Sequence, residues 1–282
     1  MPRAPRSLSA LAAAALLAGA AAPSALGYAA HTQSTGGTAP TATAQGANPC
    51  TDPAQSSQLR CPDLVMSTPY TRYFQRSGSR VLYRAGNSIV NVGRGPASVY
   101  GTRIGTTLSM RATQRVLGTD GSIFTFPSQG LIVFKSIPFQ GGYWKFANAA
   151  RFELWTVSLT GVLLQRVRTG PKLVYCLRDL TKRFYNVFSP RLRVFPACSQ
   201  DRNRQTVTLG TSVGWSDDYP SSYYEQYIDV TGLRGRFIFL MRADPLNHIH
   251  ESNEFNNVSP RVFMNLPPGY VRPASTRPSS AY

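Results

Sequence analysis

The chain has 282 residues, with 30 Lys and Arg against 13 Asp and Glu, a formal charge of +17 at pH 7. That balance favours anionic partners, while the absence of a helix-turn-helix, RNP-like or zinc-finger pattern argues against nucleic acid. Lys135, Lys145, Lys172 and Lys182 are the only lysines, so arginine carries most of the charge.

Residues 1–27 read as a secretory signal: Arg3 and Arg6, an Ala/Leu run from Leu8 to Ala22, then the small residues Ala25 and Gly27. The expectation is an exported protein with no transmembrane helix in the mature chain, since Leu131–Phe134 and Phe237–Met241 are only strand-sized. Residues 28–60 are expected to form a flexible Thr/Ala/Gly-rich spacer, 61–266 one folded domain, and 267–282 a disordered Pro/Arg tail. Four cysteines in an exported chain suggest two disulfides, and the pairing offered is Cys50 with Cys61 and Cys176 with Cys198, though spacing does not fix it. Metal binding by these cysteines lacks a C-x-x-C pair.

Short runs at Ser88–Val92, Ser98–Gly101, Ile123–Phe126, Leu131–Phe134, Arg151–Ser158, Leu173–Leu177, Thr206–Leu209, Gln226–Val230, Phe237–Arg242 and Val258–Phe263 read as strands, separated by Gly, Pro, Asp and Asn. No long amphipathic helix is visible. The predicted class is an all-β sandwich, with long loops at 178–206 and 210–222 available to build a site.

Several pieces occur in a telling order: Cys61-Pro62-Asp63-Leu64-Val65, Asn91-Val92-Gly93-Arg94-Gly95-Pro96, Phe152-Glu153-Leu154, Lys172-x-x-Tyr175-Cys176-Leu177, Gly214-Trp215-x-Asp217-x-Tyr219, Gln226-Tyr227-Ile228-Asp229-Val230-Thr231 and Glu251-Ser252-Asn253-Glu254-Phe255-Asn256-Asn257. Across about two hundred residues the chain resembles the catalytic domain of the lysyl oxidase family, copper-dependent amine oxidases. The resemblance implies a lysine tyrosylquinone cofactor, made when a copper-bound tyrosine is oxidised and a lysine amine adds to the ring. Lys172 and Tyr219 stand at those two positions.

The family holds copper with H-x-H-x-H on one strand, a period that points each imidazole to the same face. Here those positions fall on Gly141, Tyr143 and Lys145, so the resemblance implies a degenerate copper site. Of the three histidines, His31 lies in the spacer, and His248 and His250 are expected to share a face of the strand entering the last hairpin, as a partly exposed pair or an adventitious metal site. Without copper, Lys172 reads as a partly exposed strand lysine and Tyr219 as a loop aromatic packed by Pro220 and Trp215. The hairpin also resembles the family's structural calcium site, with Asp63, the Leu64 carbonyl, Glu251, Asn253, Asn256 and Asn257 as oxygen donors; asparagine here also commonly serves turns. A glycosidase pair such as Asp217 with Glu225 is a remoter option.

The leading expectation is a secreted pseudoenzyme: an envelope-associated binding or structural module whose arginine surface meets anionic polymers, lipid headgroups or acidic proteins. The alternatives are a working protein-lysine oxidase with atypical copper ligands, and a calcium-stabilised adhesion-type sandwich.

Overall fold

A computed structural model describes residues 47–267; the signal, His31, most of the spacer and nearly all of the C-terminal tail lie outside the described residues. A 3₁₀ turn at Ser56–Gln58 precedes β1 (Leu59–Arg60), β2 (Leu64–Met66), β3 (Tyr70–Ser77), β4 (Arg80–Asn91), β5 (Ala97–Arg103), β6 (Ser109–Gly118), β7 (Ile123–Ile137) and β8 (Gly141–Phe146). Then follow β9 (Ala150–Val157), β10 (Leu163–Thr169), β11 (Thr181–Lys182), β12 (Thr206–Thr211), β13 (Trp215–Tyr219), β14 (Tyr227–Asp229), β15 (Gly235–Ala243) and β16 (Val262–Leu266). Among the described residues there is no α-helix, and the fold is all-β, consistent with a sandwich.

Three antiparallel sheets share the work. One runs β12-β5-β6-β7-β8 with β1 added to β6; one runs β10-β9-β15-β16; the third is built on β4, which pairs β13 and β2 along one half and β3 and β14 along the other. Both faces of β4 are covered from Leu82 onward, so its inner half reads as a continuous buried run rather than an alternation. Facing side chains fill one main core around Trp144, Phe146, Phe152, Tyr175 and Phe239. Phe239 packs edge-on against both Tyr83 and Phe152, with centroids 5.2 and 5.7 Å away.

The Asn91–Pro96 turn shows why its residue types are needed. The Asn91 side chain accepts the N–H groups of Asp63 (3.2 Å) and Gly93 (3.0 Å) and donates to the carbonyls of Gly95 (2.9 Å) and Thr211 (2.8 Å). One buried amide thus joins the entry to β2, the turn and the end of β12. A Cβ on Gly95 would lie 1.7 Å from the Arg60 carbonyl oxygen, and one on Gly93 2.6 Å from that of Cys61. The turn therefore sits on the backbone of the first strands at a distance that only glycine permits.

Buried carboxylates repeat this pattern of local anchoring. Glu153, in the middle of β9, accepts from Arg151 (2.7 Å), Trp155 (2.8 Å) and Arg166 (3.4 Å), with Arg242 at 3.8 Å. Burial alone would raise its pKa, but the Trp155 and Arg151 hydrogen bonds and the nearby arginine charges hold it below the usual glutamate value.

Several expectations need correction. Residues 47–60 were assigned to the spacer, yet the Cys50–Cys61 disulfide and the pairing of β1 with β6 fasten them to the fold. Leu173–Leu177 is not a strand: it makes a single bridge, Tyr175 to Phe146, before the chain turns away. The two runs at 123–134 are one long strand, interrupted opposite Arg111–Thr113 where Pro127 cannot continue the ladder. The last run pairs as Val262–Leu266, with Val258 making only a bridge to Arg242. The two disulfides, by contrast, are the expected Cys50–Cys61 and Cys176–Cys198.

Replacing Asn91 with Ala strands at least three buried backbone groups and is expected to cost about 3–5 kcal/mol in urea denaturation, against roughly 0.5 kcal/mol or less for the exposed neighbour Val92→Ala.

Candidate functional site

β13 is the base of the site. Asp217 and Tyr219, two residues apart, point to one face and meet a segment that has left any sheet. The Tyr219 hydroxyl accepts the N–H of Cys176 (2.8 Å) and the Asp217 carboxylate accepts that of Leu177 (3.0 Å). These bonds satisfy two buried donors and fix the Lys172–Leu177 segment over β13.

That placement brings Lys172 to Tyr219. The Lys172 Nζ lies 4.4 Å from the centroid of the Tyr219 ring, 4.6 Å from Tyr223 and 4.9 Å from Tyr175. The rings stand edge-on to one another, Tyr219 being 4.6 Å from Tyr175 and 5.2 Å from Tyr223. Lys172 is 0 % exposed and its amine has no hydrogen-bond partner; Tyr219 is 5 % exposed. Neither residue is therefore the partly exposed lysine or the loop aromatic that the sequence left open: Lys172 is caged, and Tyr219 belongs to a buried strand.

Lys145, on β8, enters the same space. Its Nζ is 5.5 Å from the Tyr219 and Tyr223 rings, 5.7 Å from that of Tyr143, and 3.5 Å from the Tyr223 hydroxyl. Burial lowers the Lys145 pKa to about 8. Burial, reinforced by the Lys145 charge, lowers that of Lys172 to about 7. Asp217 is pushed up to about 7 by burial, against the pull of Arg178, whose Nε is 3.9 Å away. Two amines and a carboxyl thus share a dry space in which a single proton matters. Burial also raises the phenol of Tyr219 well above its usual value, so it stays protonated.

Behind the cage, Asn87 donates to the Tyr175 hydroxyl (3.3 Å), and Gln226 donates to Asn87. Sequence reading missed Tyr175, Tyr223, Asn87 and Gln226 as site residues. The dense tyrosines of 219–227 were the available signal, but tyrosines at a turn carry no depth information.

The three residues that the resemblance sets at copper positions do not offer side chains suited to a copper ion. Gly141 has no side chain, the Tyr143 hydroxyl donates to the Gln140 carbonyl (2.9 Å), and Lys145 brings an amine that is largely cationic at neutral pH. His248 and His250 do not lie on a strand. They follow the turn after β15, each against its own aromatic edge, Phe146 at 6.4 Å and Phe126 at 6.1 Å. Burial lowers both pKa values and keeps the rings neutral. Of the suggested glycosidase pair, Asp217 is committed to Leu177 and Glu225 to Lys135 at 3.0 Å.

The hairpin residues gather only in part. Glu251 accepts from Asn257 (2.8 Å) and from the Leu64 amide, so Leu64 meets the cluster through its N–H rather than its carbonyl. Asn256 donates to Asp63 (2.8 Å), while the exposed Asn253 turns away to accept the Phe255 N–H (3.0 Å). Glu254, not anticipated, joins the cluster by accepting from Asn48 (2.8 Å) and the Glu251 N–H (3.0 Å). Burial raises the pKa of Glu251 strongly and those of Glu254 and Asp63 less so. Glu254 Oε2, Asn256 Oδ1 and Asn257 Oδ1 are buried acceptors without donors.

The amine cage predicts a pH dependence. The folded-state pKa of Lys172, about 7, lies below its ordinary 10.5, so the unfolded chain binds the extra proton between those values. The cost of burying the amine is complete below pH 7 and fades as pH rises toward 10.5. Stability should rise from pH 7 to 9.5, and Lys172→Met should be more stable at pH 7 and flatten that rise in chemical denaturation.

No family model matches this chain, and no curated protein matches it either.

Proposed function

We propose that this chain is a lysyl-oxidase-like β-sandwich that works outside the cytoplasm without redox chemistry, as a binding or structural module whose arginine surface meets anionic envelope components. The observation that carries the reading is the Lys145 amine, 5.5 Å from the Tyr219 ring, on the strand where the family's copper imidazoles would project. A cation held there by the protein repels Cu²⁺, and tyrosine does not pass to a quinone without a redox metal. Closure of the cage supports the same reading, because neither Lys172 nor Tyr219 offers a surface to a substrate amine. The cage then acts as core: its three rings pack one another and surround an amine that burial keeps close to neutral. The two disulfides fit an oxidising compartment.

One observation favours the rival reading of a working amine oxidase: Lys172 Nζ stands 4.4 Å from the ring to which a cofactor lysine would bond. Peptide mass mapping separates the two. Protein expressed with copper and purified without chelator should contain no stoichiometric copper, and the peptides bearing Lys172 and Tyr219 should appear separately; a joined peptide with bound copper would reverse the assignment.

Calcium belongs to the proposal as a stabiliser. Asp63, Glu251 and Glu254 offer hard carboxylate oxygens whose pKa values are raised first by burial, with neighbouring carboxylates adding to it at Glu251 and Glu254, and the donor-less oxygens of Glu254, Asn256 and Asn257 supply further ligands. Among the described residues no three His, Cys, Asp or Glu side chains converge closely enough to hold a metal by themselves, so the asparagine oxygens are essential to this site. Calcium at a hundred times its Kd should raise the melting temperature by about 5–10 °C, and Glu254→Gln should remove most of that gain. A parent protein that melts identically in calcium and in chelator would dismiss the site.

A further inference from the structure

The segment that follows the cage, residues 181–194, is a loop with a built interior and an apolar exterior. Its base is closed by the Cys176–Cys198 disulfide and by the buried Asp179, whose carboxylate accepts the N–H groups of Val194 (2.8 Å), Phe195 (3.1 Å) and Ser212 (2.7 Å). Lys182 and the Trp215 indole both donate to the Pro190 carbonyl, at 2.7 and 3.2 Å, and Arg193 donates to that of Leu180 (2.8 Å). The tip is the turn Asn186–Ser189, in which Asn186 Oδ1 accepts from Phe188 N–H (2.9 Å) and from the Ser189 hydroxyl (3.1 Å). The loop's polar groups are thus used to hold its shape.

What faces outward is apolar. Val187, at the tip, is 92 % exposed, Leu192 81 % and Tyr185 72 %, with Val194 exposed beside them. A surface loop of a monomer seldom groups such residues without a partner. Around them the exposed charge is mainly basic: Arg191 and Arg193 are exposed, Arg60 and Arg94 lie over the Phe188 ring at 5.7 and 5.2 Å, no Asp or Glu occurs from Thr181 to Gln200, and of the neighbouring acids Asp179 is buried and Asp218 is paired with Arg183 at 2.9 Å.

We propose that this loop docks on an anionic lipid bilayer, with Val187 and Leu192 entering the interface while Arg60, Arg94, Arg191 and Arg193 meet the headgroups. The chemistry separates a bilayer from a soluble polyanion. Arginines alone suffice for a polymer, whereas an apolar tip ringed by cations matches acyl chains beneath phosphates. Fixed geometry helps, because little conformational entropy remains to be lost on binding. The assignment rests on the reading of the chain as an anion-binding module and names the surface and the partner.

Co-sedimentation of the purified protein with vesicles tests it, comparing phosphatidylcholine alone with phosphatidylcholine containing phosphatidylglycerol, beside retention on immobilised heparin. The parent should bind the phosphatidylglycerol vesicles selectively. The double variant Val187→Ser, Leu192→Ser should bind them about tenfold more weakly with unchanged heparin retention. The double variant Arg191→Gln, Arg193→Gln should lose roughly thirtyfold. These side chains are exposed, and near-ultraviolet circular dichroism verifies that each variant keeps the parent fold. Equal vesicle binding by parent and apolar variant, or a parent that binds heparin but no vesicles, overturns bilayer docking and leaves the broader reading standing. A parent that binds neither overturns both.

Discussion

Two backbone N–H groups, those of Cys176 and Leu177, govern the arrangement of this molecule. They are buried, they lie in a segment that belongs to no sheet, and the Tyr219 hydroxyl and the Asp217 carboxylate supply their acceptors. An unpaired buried donor costs about 1–3 kcal/mol, so the segment has strong reason to keep these partners. Because both acceptors come from one face of β13, the chain from Lys172 onward is held over that strand, and the Cys176–Cys198 disulfide follows from the same placement. The amine cage and the basic loop are the two sides of this anchor.

On the cage side, burial decides the chemistry. The faces of three aromatic rings attract an ammonium, but that gain does not offset the loss of its water, and the second amine of Lys145 adds repulsion. Asp217 is the natural counter-charge, yet burial pushes its pKa up to about 7 and makes it a weak one, although the Leu177 hydrogen bond favours its charged form. Such a space tolerates protons poorly and a divalent cation worse. On the reading of an oxidase framework without its metal, Lys145 is the residue that marks the change, since it puts a protein-borne cation where redox chemistry would need a neutral ligand.

On the loop side, the same economy of polar groups produces exposure. Asp179, Lys182, Asn186 and Trp215 direct their hydrogen bonds to loop carbonyls and amides, while Tyr185, held under the Lys182 amine at 4.5 Å, and Val187 and Leu192 stay exposed. The hairpin after β15 differs again: there the unmet need is polar, because Glu254 Oε2, Asn256 Oδ1 and Asn257 Oδ1 are buried acceptors without donors beside the buried Glu251.

The all-β class, the strands around Arg151–Ser158 and Phe237–Arg242, and the presence of two disulfides could be read from alternation, turn residues and an even cysteine count, whereas which cysteines pair was decided by the fold. Lys172, Tyr219 and the hairpin's oxygen donors stand out only through the resemblance to a known family, carried by short motifs in order. Depth could not be read from the sequence. Whether Lys172 is exposed or caged depends on Tyr219, Tyr223 and Lys145, which meet it through folding and not through neighbourhood in the chain. The same holds for Glu254, which joins the hairpin cluster through Asn48, and for Asn253, which the resemblance places with the donors but which accepts the Phe255 N–H in an exposed turn. Sequence period fixes which side of a strand a residue takes; only the packing of three sheets decided which of those sides lost its water.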